Sequence, residues 1–200
     1  MSNRPSSSAA IDAPMDRVIF GDNQFFGVNH MSEEKARAQS MRFQDLHAVI
    51  DVLDAAYQEG IRTFMCTTHD RMGEICDHFR AHPDKYPGYR FYPCMPYAHK
   101  YANAVTENGM IEALRMFLPQ DGAVGAMLKG GVAAYEQAIA QRRFRPVAMS
   151  VLASGAISPR EAIEYVCAQP RIESIVFGAS GRSNIRQTKA LIDELTVVAA

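Results

Sequence analysis

A parallel α/β fold of about five strand–helix units is what this sequence predicts, and three observations predict it. Short apolar runs alternate along the chain with segments whose apolar residues fall at helical spacing. The two last runs, Val147–Leu152 and Ile172–Phe177, are almost continuously apolar, as strands covered on both faces are. Between them a helix start is spelled out. Ser158 stands at the cap, Pro159 at the first helical position, and Glu161 where it can close a capping box.

The elements follow in order. Arg17–Phe20 reads as a first strand and runs into the polar segment Gly21–His30. Leu46, Val49, Ile50, Leu53 and Tyr57 line one face of a helix over Phe43–Glu59, which Gly60 ends. Ile61–Thr67 reads as the second strand, Gly73–Ala81 as a short helix and Tyr89–Met95 as the third strand, ended by Pro96. Helical spacing returns over Asn108–Leu118 and Val132–Arg142, on either side of the glycine-rich stretch Gly122–Gly131. After Val147–Leu152, the capped helix and Ile172–Phe177, a last helix near Ser183–Leu195 carries Ile185, Leu191, Ile192 and Leu195.

Composition bounds the classes of function. The chain has 200 residues, 48% hydrophobic and 22% charged, which is ordinary usage for a globular α/β domain. A formal net charge of −1 argues against a nucleic-acid surface, which needs a basic patch. No run of about 18 apolar residues is present, so no membrane span is expected. Residues 1–15 are rich in Ser, Ala and Pro, lack the apolar stretch of a signal peptide and read as a disordered leader. Residues 16–200 read as one domain. Cys66, Cys76, Cys94 and Cys167 show no CxxC pairing, the usage of reduced thiols in a cytoplasm.

The tail carries the most specific signal. Phe177 leads into Gly178-Ala179-Ser180-Gly181-Arg182 at a strand-to-helix junction, where backbone N–H groups gather and anions bind. Ala148-Met149-Ser150-Val151-Leu152-Ala153-Ser154-Gly155 resembles the seventh-strand segment of the aldo-keto reductases, which commonly reads Ala-Tyr-Ser-Pro-Leu-Ala-x-Gly. Phe177-Gly178-Ala179-Ser180, with Asn184, Ile185 and Thr188, resembles that family's eighth-strand turn and helix. The stretch Ala55 to Phe64 is similar to the segment leading into its second strand. The resemblance implies a (β/α) TIM-barrel-like fold. It also implies an NADP cofactor held through Ser150, Leu152, Gly178, Ala179, Ser180, Arg182 and Asn184.

The chain departs from that family where its chemistry resides. Met65 stands at the position of the family's aspartate, no tyrosine follows, and Phe91–Met95 lacks the lysine. Asn184 occupies a position where an arginine often holds the 2′-phosphate. A complete eight-stranded barrel takes about 250 residues. About five βα units fit here, so the chain is expected to be either a barrel shortened in its middle, with its joint near Gly122–Gly131, or a small open α/β sheet. A shortened barrel's open sheet edges point to a homo-oligomer that covers them, or to a marginal fold.

Polar residues just after strands are the candidates for chemistry. Asp22, Asn23, Gln24, Asn29 and His30 follow the first strand, Thr67, Thr68, His69 and Asp70 the second, and Tyr97, His99 and Lys100 the third. His30, His69, Asp70, Tyr97, His99 and Lys100 form the expected catalytic set, because imidazole, carboxyl, phenol and amine groups there can move protons. No HxH or HExxH spacing points to a metal, and none is expected.

Three functions fit these residues. The nominal one is an aldo-keto reductase-like, NADP-binding oxidoreductase with a degenerate active site. The second is a non-redox barrel enzyme, an isomerase, lyase or hydrolase, using strand-end histidines on a phosphorylated or carboxylated small molecule. The third is a non-catalytic remnant of a barrel enzyme.

Overall fold

The structure is a computed structural model, and it describes residues 14–29, 32–67, 69–94, 140, 145–169 and 171–198. Five parallel strands form one sheet in the order β3-β2-β1-β5-β4. They are β1 (Val18–Phe20), β2 (Thr63–Cys66), β3 (Arg90–Pro93), β4 (Val147–Ala148) and β5 (Ser174–Phe177). Among the described residues five α-helices accompany them: α1 (Glu33–Arg42), α2 (Leu46–Gln58), α3 (Met72–Ala81), α4 (Pro159–Ala168) and α5 (Arg182–Val198).

β1 is the centre of the sheet. Ile19 and Phe20 pair with Thr63 and Phe64 on one side and with Val176 and Phe177 on the other. The last strand in the chain therefore lies directly against the first, and the last but one follows it, Ala148 opposite Ile175. A barrel brings its final strands back to its first in this way, so the order fits a barrel-like α/β fold. All three residues of β1 and all four of β5 are buried. The expectation of adjacent, parallel strands in the tail is met.

The helices pack as their periodicity dictates. α2 buries Val49, Ile50, Val52, Leu53, Ala55 and Ala56. Asp45 caps it by accepting the His47 N–H at 2.9 Å, and Gly60, at φ 89°, turns the chain out of it. α3 buries Met72, Ile75 and Phe79, and α4 buries Ala162, Ile163 and Val166. Ser158 accepts the Glu161 N–H at 3.3 Å, the cap the sequence spells out. α5 turns Ile185 and Ile192 fully inward.

Two elements differ from the sequence expectation. The strand expected over Val147–Leu152 is confined to Val147–Ala148. Met149 is 52% exposed and Ser150 turns left-handed at φ 56°. Val151 and Leu152 form a turn and a 3-10 turn over Ala153–Gly155 follows. The run is apolar, but its backbone breaks at Ser150. Conversely, α1 buries no residue and has no apolar stripe to announce it. Good helix formers, the Ser32 cap on the Lys35 N–H at 3.2 Å, acidic Glu33 and Glu34 at its start and Arg42 at its end hold it. The helices expected over Asn108–Leu118 and Val132–Arg142 lie outside the described residues, except Ala140, which is helical. The leader and the Gly122–Gly131 joint also lie outside them. Among the described residues no helix is long and apolar enough to cross a membrane.

Candidate functional site at the carboxyl edge of the sheet

Where β1 ends, the chain must turn while keeping its polar groups satisfied. Gly21 N–H extends the ladder to the Phe177 carbonyl at 2.8 Å, and a 3-10 turn over Asn23–Phe25 follows. Phe25 anchors that turn, packing against Phe43 at 5.1 Å and against Phe20 and Phe64 at 6.3 and 6.2 Å between ring centres. This anchoring fixes two polar residues, Asp22 and Gln24, each 5% exposed.

Asp22 ties the first two strands together. Its Oδ2 accepts the Thr67 N–H at 2.6 Å, just beyond the end of β2. Burial raises its carboxyl above the usual carboxylate range; the Thr67 hydrogen bonds and the His69 charge oppose that rise without cancelling it. The third strand joins through the backbone, as Cys94 N–H donates to the Cys66 carbonyl at 2.7 Å. Burial pushes the Cys66 thiol up to about 12, with the Asp22 charge adding to it. Cys66 is therefore a protonated packing residue and not a nucleophile.

His69 borders this corner and is exposed. Its ring stacks on Phe26 at 4.3 Å and 22°, and its Nδ1 accepts the Arg71 N–H at 3.2 Å. The His69 carbonyl accepts from Met72 N–H at 2.9 Å, which starts α3. Asp70 is exposed beside it.

The β5 end supplies the other wall. Gly178 is exposed, and the Gln24 side chain lies beneath it. A Cβ on Gly178 would sit 2.1 Å from Gln24 Oε1, so a larger residue there requires the Gln24 carboxamide to move. Gln24 Nε2 donates to the Gly21 carbonyl at 2.8 Å, whereas its Oε1 is buried with no hydrogen-bond partner. The first bond of α5 runs from Ile185 N–H to the Gly181 carbonyl at 3.1 Å. The N–H groups of Arg182, Ser183 and Asn184 thus have no carbonyl within the helix, and they carry the positive end of its dipole.

The expected cofactor residues divide. Gly178, Ala179, Ser180, Arg182 and Asn184 form this turn and helix start, with Ser180 Oγ accepting from Gln39 Nε2 at 3.4 Å. The Arg182 guanidinium is half-exposed and reaches Glu59 at 3.4 Å, a carboxylate also held by Arg186 at 3.0 Å. The two arginines, Arg186 more than Arg182, hold the Glu59 carboxyl below its ordinary value. Ser150 and Leu152 belong to the turn after β4, the strand next to β5. A groove of about 400 Å³ adjoins the α5 start, lined by Arg42, Asp51, Asp54, Gln58, Ser180 and Arg182.

Of the expected catalytic set, His69 and Asp70 stand together at this edge; His30, Tyr97, His99 and Lys100 lie outside the described residues. Among the described residues no three His, Cys, Asp or Glu side chains assemble as a metal site requires. Asp22 and Gln24, named among the polar residues after the first strand, take central places in this corner, and Phe26, which the sequence had not singled out, joins them. The available signal was their position directly after a fully apolar strand.

Fold and edge together define a parallel-sheet α/β protein with its polar groups gathered where the strands end. Comparison with known proteins yields no match to a family model, a curated protein or a solved structure. The likeness to the aldo-keto reductases rests on the residues quoted for it.

Proposed function

We propose that this chain is a non-redox α/β enzyme that binds a phosphorylated small molecule and moves a proton on it. The Gly178–Asn184 turn receives the phosphate, through the helix-start N–H groups and the Arg182 cation. Asp22 is the acid–base group. The observation that carries the reading is the Asp22 carboxyl, 5% exposed and raised by burial at the strand edge where α/β enzymes assemble their sites. The four free thiols suit a reducing cytoplasm.

The test separates binding from folding. A Cβ at Gly181 meets nothing within 4 Å, so Gly181→Asp is accommodated there. It places a carboxylate where the phosphate would sit and caps α5 itself. The expected result is unchanged or raised thermal stability with affinity for inorganic phosphate and glycerol phosphate at least tenfold weaker, about 1.4 kcal/mol. Equal affinity in both proteins would remove the phosphate assignment.

A second reading keeps NADP as the phosphorylated ligand, in an aldo-keto reductase-like oxidoreductase with a degenerate site. What favours it is that β4, β5 and β1 lie side by side, the order the resemblance implies for the last two strands and the first. NADPH titrated against the protein and against Gly181→Asp distinguishes the two. Micromolar binding abolished by the substitution supports the cofactor, and binding of glycerol phosphate alone supports the first reading. Met65 at the aspartate position, with the tyrosine and lysine positions also empty, predicts that carbonyl reduction, if NADPH binds, lacks general-acid help worth roughly 10²–10⁴ in rate.

A further inference from the structure

We propose that His78 and His82, at the end of α3, form a binding site for one divalent transition-metal ion of the Ni²⁺ or Cu²⁺ kind. The site is separate from the carboxyl edge. α3 leaves the end of β2, and its last turn leads back toward the start of β3.

Spacing brings the two rings together. Residues four apart on a helix share one face. The His78 and His82 rings lie 4.6 Å apart between centres and 34° from parallel. A shared ion sets such a separation. With metal–nitrogen bonds of about 2.1 Å, two imidazoles about 90° apart on one ion have ring centres about 4.5 Å from each other. A tetrahedral angle would place the centres about 5.2 Å apart. The right-angled arrangement belongs to tetragonal and octahedral ions, and imidazole ligands select Ni²⁺ and Cu²⁺ among them.

Outer contacts decide which nitrogen each ring offers. A carbonyl only accepts, so the 2.7 Å contact between His82 Nδ1 and the His78 carbonyl puts the His82 hydrogen on Nδ1. Its Nε2 then carries the lone pair. His78 Nε2 lies 3.3 Å from the Tyr86 hydroxyl. That hydroxyl donates its one hydrogen to Asp54, whose other oxygen Lys85 holds at 2.7 Å. It can therefore only accept from His78, which puts the His78 hydrogen on Nε2 and the lone pair on Nδ1. Each ring thus spends one nitrogen on an outer partner and keeps the other for a ligand, the division metal-bound histidines show. His82 is exposed and His78 half-buried, so an ion reaches the pair from solvent.

The same residues limit what the ion does. In the metallopeptidase pattern HExxH a glutamate base follows the first histidine. Phe79 holds that position here and is buried. The pair therefore binds an ion without that motif's hydrolytic base. Two protein donors make an open site, and water completes the coordination sphere. An ion bound to both imidazoles ties the last turn of α3 to the residue that ends it, so binding favours the folded chain.

The experiment uses the full chain freed of metal with a chelator. Electron paramagnetic resonance with one equivalent of Cu²⁺ counts the nitrogen ligands on the unaltered protein. Calorimetric titration with Ni²⁺ gives stoichiometry and affinity. The expected result is two imidazole nitrogens on Cu²⁺, one Ni²⁺ per chain, and a thermal midpoint raised by Ni²⁺. His78→Phe keeps a ring against Phe79 and Tyr86, and His82→Gln keeps an N–H for the His78 carbonyl. Each should weaken Ni²⁺ at least tenfold and remove the rise in midpoint. Any other nitrogen count overturns the proposal, and this reading holds even if a variant fails to fold. Unchanged Ni²⁺ affinity in either folded variant overturns it as well.

Discussion

Gly178→Ala puts the tightest approach in the site to a direct test. The added Cβ would lie 2.1 Å from Gln24 Oε1 and 3.0 Å from its Cδ, far inside any tolerated contact. Gly178 is not among the positive-φ glycines, so the backbone itself accepts alanine and the cost is the collision alone. Either Gln24 swings out and gives up its 2.8 Å bond to the Gly21 carbonyl, or the ends of β1 and β5 separate. Leaving a buried carbonyl unmet costs about 1–3 kcal/mol, and forcing extra volume into a packed region costs about 1–3 kcal/mol. The two routes are alternatives, so the expected destabilisation is about 1–3 kcal/mol. Urea unfolding followed by circular dichroism measures it. Gln24→Ala removes the obstacle, so the double variant should be about 2 kcal/mol more stable than the sum of the single changes predicts. Strict additivity would show that Gly178 and Gln24 do not share this space, and the geometry of the site would have to be redrawn.

Two further outcomes follow from the same edge and from the tail. Because burial raises the Asp22 carboxyl, the folded state holds this proton more tightly than the unfolded chain. Its stabilising contribution is complete below the unfolded value and is lost as pH rises through the folded one. Asp22→Asn keeps an oxygen for the Thr67 N–H without the buried charge, so its melting temperature at pH 7 should exceed the parent's by about 2–4 °C. The gap should close below about pH 4, and a lower melting point at pH 7 would contradict the burial argument. Ser158→Ala removes the acceptor of the Glu161 N–H and should cost about 1 kcal/mol. Ser158→Asp should restore it, and failure to do so would show that the cap contributes nothing.

What the sequence discloses is what short-range physics determines. The α2 stripe of Val49, Ile50 and Leu53 is a local pattern, and it predicts the buried face that forms. The Ser158 cap and the apolar run of β5 are equally local, and both are realised. β4 was overread because apolarity reports burial and says nothing of dihedrals, and the left-handed Ser150 is a dihedral event. α1 was missed because it rests on caps and propensity, while periodicity detects only helices that bury a face. In the site, His69 and the Gly178 turn are legible from their place after apolar strands. Their partners are not. Asp22 meets Thr67 45 residues away, and Arg182 meets Glu59 123 residues away. Such pairings exist only once the sheet has assembled, and no local spacing encodes them.

The choice of Asp at position 22 separates a structural from a chemical account of this corner. A group needed only to accept the Thr67 N–H could be an asparagine, whose carbonyl oxygen reaches as far and carries no charge to desolvate. A carboxylate in that place opposes its own burial, and the raised carboxyl is the sign of that opposition. The cost brings something an amide cannot supply, a group that both takes and returns a proton. Gln24 repeats the pattern next door, with a buried acceptor left unmet beneath an exposed glycine. Tight local structure with imperfect local satisfaction is what pre-organised sites show, because stability there is exchanged for chemistry. On this ground Asp22, rather than the more conspicuous cysteines, is the residue from which the function of this chain should be pursued.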